Sequence, residues 1–247
     1  IVDQVTDPLI RQRIKLVWFG WGYLPVLAMS EVPFEFRLRL FRAMLRIDWN
    51  VLHGHSPSEI AHVFRGVAER RAEPGEAVVE AGCWRGGSSA KFSLLCQFLG
   101  YELHIYDSFE GVGDLTEEDR AKEWDYEGQY SAPESTLREN LERFGAPSVC
   151  HIHKGWFSET LAAGQCPERV RVAYIDCDIA KGTHDALRGI SSHLTSDAVV
   201  FTQDFHIEPI RRLVFNERIW PELGLAPPRL ESLGRRLASL RFGASGV

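Results

Sequence analysis

Hydrophobic residues recur with two different spacings along the chain. Up to about residue 72 they repeat at helical intervals, which predicts amphipathic helices near residues 8–18, 33–47 and 57–71. From Glu76 onward, short apolar runs alternate with helical segments, and this alternation is typical of βαβ units in a parallel sheet. The pattern therefore predicts an N-terminal helical layer followed by an α/β region.

The α/β region divides into individual elements. The apolar runs predict five strands, at residues 77–80, 103–107, 149–153, 170–176 and 198–202. Helices are expected at 88–99, between Pro133 and Gly145, at 183–194 and in a last segment ending near Trp220, with no element assigned beyond it. We expect a doubly wound, Rossmann-like α/β core at 73–247 behind a helical lid or dimerisation region at 1–72.

Charge and cysteine content limit the partners and the compartment. The chain has 28 Lys and Arg against 34 Asp and Glu, so a net charge of −6 argues against nucleic-acid binding and favours a small-molecule partner. The five cysteines are odd in number and lack C-x-x-C spacing, as expected for reduced thiols in the cytoplasm. No apolar stretch is long enough to cross a membrane.

An aromatic cluster occupies residues 18–23, Trp-Phe-Gly-Trp-Gly-Tyr. Aromatic side chains are usually buried anchors, so we expect the cluster to pack in the core. A pocket wall or a subunit contact is the alternative.

A glycine-rich turn follows the first predicted strand. Gly82, Gly86 and Gly87 lead into a helix that starts near Ser88, where backbone N–H groups suit a carboxylate or phosphate. The spacing is not the G-x-G-x-x-G of dinucleotide sites, and bulky Trp84 stands where a pyrophosphate would approach. The turn therefore indicates a different cofactor.

Two acidic residues end the first two strands. Glu80 suits an ammonium group, and Asp107 can accept both hydroxyls of a ribose. An amino acid joined to a nucleoside satisfies both, and S-adenosylmethionine is such a molecule. Turn chemistry at the strand ends is the structural alternative.

Further carboxylates follow the fourth and fifth strands. Asp176, Asp178 and Asp204 should meet at one sheet edge, where they could hold Mg²⁺ or remove a proton from an acceptor hydroxyl. Without a metal, His206 or Asp178 is the candidate base, because each stands beside this edge.

Four ordered motifs resemble the macrocin O-methyltransferase family over about residues 76–206. They are Glu80-Ala-Gly-Cys-Trp-Arg-Gly-Gly87, Asp107-Ser-Phe-Glu-Gly111, Gly155-Trp-Phe-Ser-Glu-Thr-Leu161 and Tyr174-Ile-Asp-Cys-Asp178 followed by Thr183 and Ala186-Leu187. The resemblance implies a class I methyltransferase core that uses S-adenosylmethionine to methylate hydroxyls, notably on sugars of antibiotics.

The resemblance also implies roles for single residues. Glu80, Gly82 and Ser88 would hold the methionine end of the cofactor, Asp107 and Ser108 the ribose, and Trp156 and Phe157 the adenine. The expected cofactor site further includes Trp84, Gly155 and Asp176.

A metal site is implied less completely. The family places a metal on carboxylates matching Asp178 and an Asp-Asp pair, which here reads Gln203-Asp204. A neutral amide in place of a carboxylate weakens a site for a hard cation. We therefore treat Mg²⁺ at Asp178, Gln203 and Asp204 as doubtful.

The expected function is O-methylation of a small, hydroxylated metabolite, such as a glycosylated natural product, by a homodimer. Trp124, Tyr126 and Tyr130 in the long 108–133 connection are candidates to stack on the acceptor. The alternatives are a metal-independent methyltransferase with a different acceptor, a cofactor-binding protein without catalysis and, least favoured, a nicotinamide dehydrogenase.

Overall fold

The computed structural model describes residues 6–113, 115, 117, 127–161 and 164–243. Within them a seven-stranded sheet has the order β3-β2-β1-β4-β5-β7-β6, with β1 to β5 parallel and β7 antiparallel to both of its neighbours. The strands are β1 Glu76–Ala81, β2 Glu102–Asp107, β3 Cys150–Lys154, β4 Arg169–Ile175, β5 Leu194–Thr202, β6 Arg229–Ser232 and β7 Ala238–Arg241.

Helices cover both faces of the sheet, and each face has its own hydrophobic core. One core contains residues of α2 Leu24–Leu27, α3 Phe34–Asn50, α4 Pro57–Val67, α5 Gly87–Leu99 and α6 Glu134–Phe144. The other contains residues of α8 Ala180–Ile190, α9 Glu208–Phe215 and α10 Ile219–Glu222. The remaining described helices are α1 Pro8–Phe19 and the short α7 Phe157–Thr160. The doubly wound α/β prediction is confirmed.

The N-terminal helices begin at local capping signals. Ser56 and Glu59 form a capping box at the start of α4, and Asp7 caps α1. Residues of α2, α3 and α4 belong to the same core as Val78 of β1. The N-terminal layer is thus packed directly against the sheet, because its apolar stripe faces that core.

The expected burial of the aromatic cluster at residues 18–23 is wrong for three of its four aromatic residues. Trp18, Phe19 and Trp21 are 65 to 70% exposed, and only Tyr23 of that aromatic cluster is fully buried. The segment beyond Trp220, for which the sequence pattern predicts no element, contains the β6–β7 hairpin. The four residues of β6 are almost all exposed, so no alternating pattern of hydrophobic residues marks this edge strand.

No helix within the described residues is long and apolar enough to cross a membrane.

Candidate functional site

A cavity of about 190 Å³ lies beyond the carboxyl ends of the parallel strands. β1 lies between β2 and β4, so the strand order reverses there, and ligands of open α/β sheets bind at this switch point. Backbone hydrogen bonds align the edge, with Gly82 N–H donating to Tyr106 O and Asp176 N–H to Ala81 O. The predicted cofactor residues on the cavity wall are Gly82, Trp84, Ser88, Asp107, Ser108, Gly155, Trp156, Phe157 and Asp176.

Gly82 brings two strands together at the base of the cavity. It has a φ of +89°, and a Cβ there would lie 1.9 Å from the carbonyl oxygen of Asp176. A side chain at this position would clash with backbone, so glycine is required for this close approach. Trp84, two residues on, also has a positive φ of 47°. The turn is held in a conformation that non-glycine residues rarely adopt.

The carboxylate of Asp107 binds the same turn. Its Oδ2 accepts hydrogen bonds from the backbone N–H of Cys83 at 2.8 Å and of Trp84 at 3.1 Å, and its Oδ1 accepts from Phe109 N–H at 2.7 Å. A carboxylate has about four acceptor positions, so about one remains for a ligand. Binding both hydroxyls of a ribose would therefore require one of these three bonds to be exchanged.

Glu80 lies beneath the cavity instead of on its wall. Its side chain is fully buried, and burial raises its pKa to about 7, with the charge of Asp107 also raising it. Ser88 and Ser89 lie near enough to favour the charged form, but no described residue makes a hydrogen bond of regular geometry to either carboxyl oxygen. Of the predicted cofactor residues, this one alone is absent from the described wall.

Aromatic side chains line the rest of the wall. Trp156 and Phe157 lie just beyond β3, and Trp156 packs so closely over Gly113 that a Cβ there would lie 2.5 Å from the indole ring. Tyr130 meets Trp84 edge to face at 5.3 Å. Such a slot suits a flat heteroaromatic ring. Trp124 and Tyr126 lie outside the described residues.

Three carboxyls cluster near the ends of β4 and β5. Asp176 and Asp178 line the cavity, and Asp178 N–H donates to Asp204 Oδ2 at 2.9 Å. Burial raises the pKa of Asp178 to about 7, and Asp204 contributes to the increase. The pKa values of Asp176 and Asp204 are raised as well, first by burial. Asp178 has a φ of 60°, a strained conformation found at functional sites.

The expected metal ligands, Asp178, Gln203 and Asp204, are not arranged to hold a Mg²⁺ ion. Gln203 is fully buried, donates from Nε2 to Glu59 Oε2 at 3.0 Å, and has its Oε1 3.2 Å from the Tyr174 hydroxyl. Among the described residues the cavity wall includes neither Gln203 nor Asp204 nor His206. The predicted ligand set therefore does not converge on the cavity, and His206 is set back from it.

The described wall also includes residues outside the predicted site, among them Arg236, Lys181 and His53. Arg236, on the β6–β7 turn, donates from Nη1 to Gly54 O at 2.9 Å and places Nη2 3.8 Å from Asp204 Oδ1. Lys181 lines the cavity and is paired with Asp185. His53 comes from the loop after α3. Nothing in the local sequence marks Arg236, because it reaches the cavity from an element distant in the chain.

His53 belongs to a buried polar cluster between α3 and α5. Asp48 contacts Lys91 Nζ, lies 2.9 Å from His53 Nε2, and accepts from the Tyr23 hydroxyl at 2.6 Å. Lys91 Nζ is also 2.6 Å from His55 Nε2. Burial alone would raise the pKa of Asp48, but Lys91 and His53 lower it well below its ordinary value. Asp48, His53 and His55 have metal-like spacing, yet the Lys91 ammonium already contacts two of them.

The chain is similar to known methyltransferases in both sequence and fold. Residues 60–219, more than half of the chain, match the profile of the macrocin-O-methyltransferase (TylF) family. The 8-demethyl-8-(2,3-dimethoxy-alpha-L-rhamnosyl)-tetracenomycin-C 4'-O-methyltransferase of Streptomyces olivaceus is 30% identical over 154 residues, which cover 59% of this chain and 58% of that protein. The match thus spans little more than half of this relative.

Solved structures share the fold over nearly the whole chain. The O-methyltransferase NovP superposes with a TM-score of 0.67 at 16% identity, covering 94% of this chain and all of NovP. The calicheamicin methyltransferase CalS11 gives a TM-score of 0.58 at 21% identity, covering 93% of each chain. Taken with the profile match, these similarities show that the chain belongs to the macrocin O-methyltransferase family, with the fold of S-adenosylmethionine-dependent class I methyltransferases.

Proposed function

We propose that this protein transfers the methyl group of S-adenosylmethionine to a hydroxyl on the sugar of a glycosylated natural product. The observation that carries the proposal is the cavity at the strand-order switch point, where a glycine turn, a strand-end carboxylate and an aromatic slot meet. Family membership supports the reaction class, and the name of the Streptomyces olivaceus relative supports a sugar acceptor.

The cofactor would lie across the switch point. Its carboxylate would face the start of α5 at Gly87 and Ser88, where no side chain caps the helix. Its ribose would take the open acceptor position of Asp107, and its adenine would enter the slot at Trp156 and Phe157. Glu80 would support the glycine turn from beneath the cavity and would not contact the cofactor directly.

Asp178 is the base in this proposal. It lines the cavity, and its pKa of about 7 suits proton removal near neutral pH. The acceptor oxygen attacks the methyl carbon, the carbon–sulfur bond breaks, and the hydroxyl proton passes to the Asp178 carboxylate. The products are a methyl ether and S-adenosylhomocysteine. Asp204 would orient Asp178 through its backbone hydrogen bond, and His206 is a weaker candidate because it stands off the described wall.

The N-terminal layer would cover the acceptor. A second cavity of about 340 Å³ lies between α1 and the 52–57 loop, and it shares Leu52, His53, Gly54, His55 and Arg236 with the first. Gln12 of α1 ties to this loop, because its Oε1 accepts from His53 N–H at 3.0 Å. The part of the acceptor beyond the methylated sugar would extend into this second cavity, so residues 1–72 serve as the lid.

We further propose a homodimer in a reducing compartment such as the cytoplasm. Val17, Trp18, Phe19 and Trp21 form an exposed apolar patch on the N-terminal layer, and such patches mark association surfaces. All five cysteines are free, as expected where thiols stay reduced.

A binding experiment tests the cofactor first. Calorimetric titration with S-adenosylmethionine and S-adenosylhomocysteine should give binding in the wild type and none in Asp107→Ala, because the variant loses both the ribose acceptor and the anchor of the turn. Glu110→Ala, a nearby acidic residue off the described wall, serves as the control and should bind normally. Absence of binding by the wild type would contradict the proposal.

Turnover on a panel of glycosides then separates the alternatives. Methylation of sugar hydroxyls that is lost in Asp178→Asn supports the proposal. Methylation of nitrogen or carbon acceptors instead would favour a methyltransferase of different specificity. Cofactor binding with no turnover on the panel would favour a binding protein without catalysis.

A further inference from the structure

The guanidinium of Arg236 lies beside the carboxyl cluster formed by Asp176, Asp178 and Asp204 at the sheet edge. Its side chain is partly buried and lies on the wall of both cavities. Its position is fixed at two points, because Nη1 donates to Gly54 O at 2.9 Å and its backbone carbonyl accepts from Phe205 N–H at 2.9 Å. Nη2 is thereby held 3.8 Å from Asp204 Oδ1.

We propose that Arg236 takes the place of a divalent cation at this carboxyl cluster, so that the enzyme works without a metal. The inference rests on the proposed methyltransferase function for its catalytic consequence. The exclusion of a divalent cation by Arg236 and Gln203 does not depend on which acceptor the enzyme methylates.

The first argument concerns Gln203. Replacing a carboxylate by an amide removes one negative charge from the ligand set, and Mg²⁺ binding depends on that charge. The amide is also used elsewhere, because its nitrogen donates to Glu59 and its oxygen lies 3.2 Å from the Tyr174 hydroxyl. Glu59 is itself fixed by the capping box of α4. Turning Gln203 toward a metal would leave buried polar groups unpaired.

The second argument concerns Asp204. Its Oδ2 accepts the backbone N–H of Asp178, and its Oδ1 has no hydrogen-bond partner among the described residues but faces Arg236. A divalent cation bound to Oδ1 would lie beside a guanidinium that stays protonated, and the two charges would repel. Asp176, Asp178 and Asp204 also fail to bring three ligand atoms within 4.8 Å of one another, a spacing that the Asp48 cluster reaches.

Arg236 has a chemical role that follows from this placement. The guanidinium lies 3.8 Å from Asp204 Oδ1, and Asp204 Oδ2 accepts the backbone N–H of Asp178, so a fixed positive charge stands beside the carboxyl cluster. Arg236 lines both cavities, and in the proposed function the acceptor extends from the first into the second. Arg236 would therefore also contact the acceptor.

Binding of Mn²⁺, followed by electron paramagnetic resonance, tests the exclusion without cofactor or acceptor. The wild type and Arg236→Met should show no specific Mn²⁺ signal, because Gln203 remains in both. The double variant Gln203→Asp, Arg236→Met should acquire a site, and adding Asp178→Asn should remove it. Thermal unfolding of each variant shows whether it is folded, and Arg235→Met, the exposed neighbour, is the matched control.

Activity is the second measurement, made once an acceptor is found. Wild-type turnover should be unchanged in EDTA, and Arg236→Met should lower kcat about 100-fold, as for loss of one preorganised charge, while Arg235→Met should not. Specific Mn²⁺ binding by the wild type that Asp178→Asn abolishes would overturn the inference. So would a folded double variant that binds no Mn²⁺. Failure of the wild type to turn over any acceptor would count against the proposed function alone, because the Mn²⁺ results need no turnover.

Discussion

Two groups of buried acids flank the cavity, and their pKa values move in opposite directions. Asp48, between α3 and α5, contacts the ammonium of Lys91, and its pKa is held well below the ordinary value although burial would raise it. Glu80 and Asp178, at the sheet edge, have pKa values raised to about 7, mainly by burial. The nearest cation described for the edge cluster, Arg236, stands 3.8 Å from Asp204.

The difference shows that burial alone does not determine the charge of an acid. Direct contact with a buried cation compensates for lost hydration, whereas a cation at longer range does so only in part. The compensated group joins the N-terminal layer to α5, which fits a structural role. The uncompensated groups lie at the carboxyl edge, where groups that titrate near neutral pH are useful for proton transfer.

Removing the Lys91 ammonium from its contact with Asp48 should have the largest effect on the free energy of unfolding. Lys91→Met leaves Asp48 buried beside neutral groups, and breaking such a pair costs about 4 kcal/mol of unfolding free energy. The double variant Asp48→Asn, Lys91→Met should recover most of that loss, because no charge is then left unpaired. Urea denaturation measures both, with the exposed Lys154→Met as control. Equal stabilities of Lys91→Met and Lys154→Met would contradict this account.

Replacing the uncompensated Glu80 by glutamine should raise the free energy of unfolding. We expect this gain to be smaller than the loss in Lys91→Met and to depend on pH. The pKa of Glu80 is raised to about 7 in the folded state, so the folded protein keeps a proton that the unfolded chain releases above its ordinary pKa of 4.5. The stability contributed by this group is therefore lost as pH rises from about 4.5 to 7. Glu80→Gln removes that loss and should stabilise the protein by about 3 kcal/mol at pH 8, but by less than about 1 kcal/mol at pH 5.

Urea denaturation at the two pH values tests this sign. The charged neighbours of Glu80 are Lys91 and Asp107, and both stay in place in the variant. Glu139→Gln, on the exposed face of α6, is the control and should change stability equally at both pH values. A Glu80→Gln variant that is less stable than the wild type at pH 8 would show that the carboxylate is compensated after all.

Breaking an exposed ion pair should change the free energy of unfolding least, and it serves as the reference for the two buried groups. Arg138 Nη2 lies 2.6 Å from Glu134 Oε1, one turn apart on α6. Because water screens this pair, Arg138→Ala should cost only about 0.5 kcal/mol, and less at high salt. If Arg138→Ala lowered the free energy of unfolding as much as Lys91→Met, buried and exposed ion pairs would not differ in their contribution to stability.

Local patterns predicted most of the elements well. The five parallel strands and the first three expected helices of the α/β region lie within a few residues of their expected positions, because hydrophobic runs, Pro133 and Gly145 act within each segment. The last expected helix, ending near Trp220, is instead the two short helices α9 and α10. The sequence pattern does not predict the β6–β7 hairpin, because its first strand is exposed on an edge. The expected burial of the aromatic cluster is wrong because hydrophobicity does not reveal which side of a helix meets the core.

Residue type and spacing along the chain are enough to identify the strand-end acids, the glycine turn and the four ordered motifs. Which of these residues face the cavity depends on how the elements pack in three dimensions. Glu80 and Gln203 are turned into buried surroundings, while Arg236 and His53 arrive from elements distant in sequence. The balance of charge between acids and cations is a property of distances in space, and these are fixed only when the helical layer and the terminal hairpin pack onto the sheet.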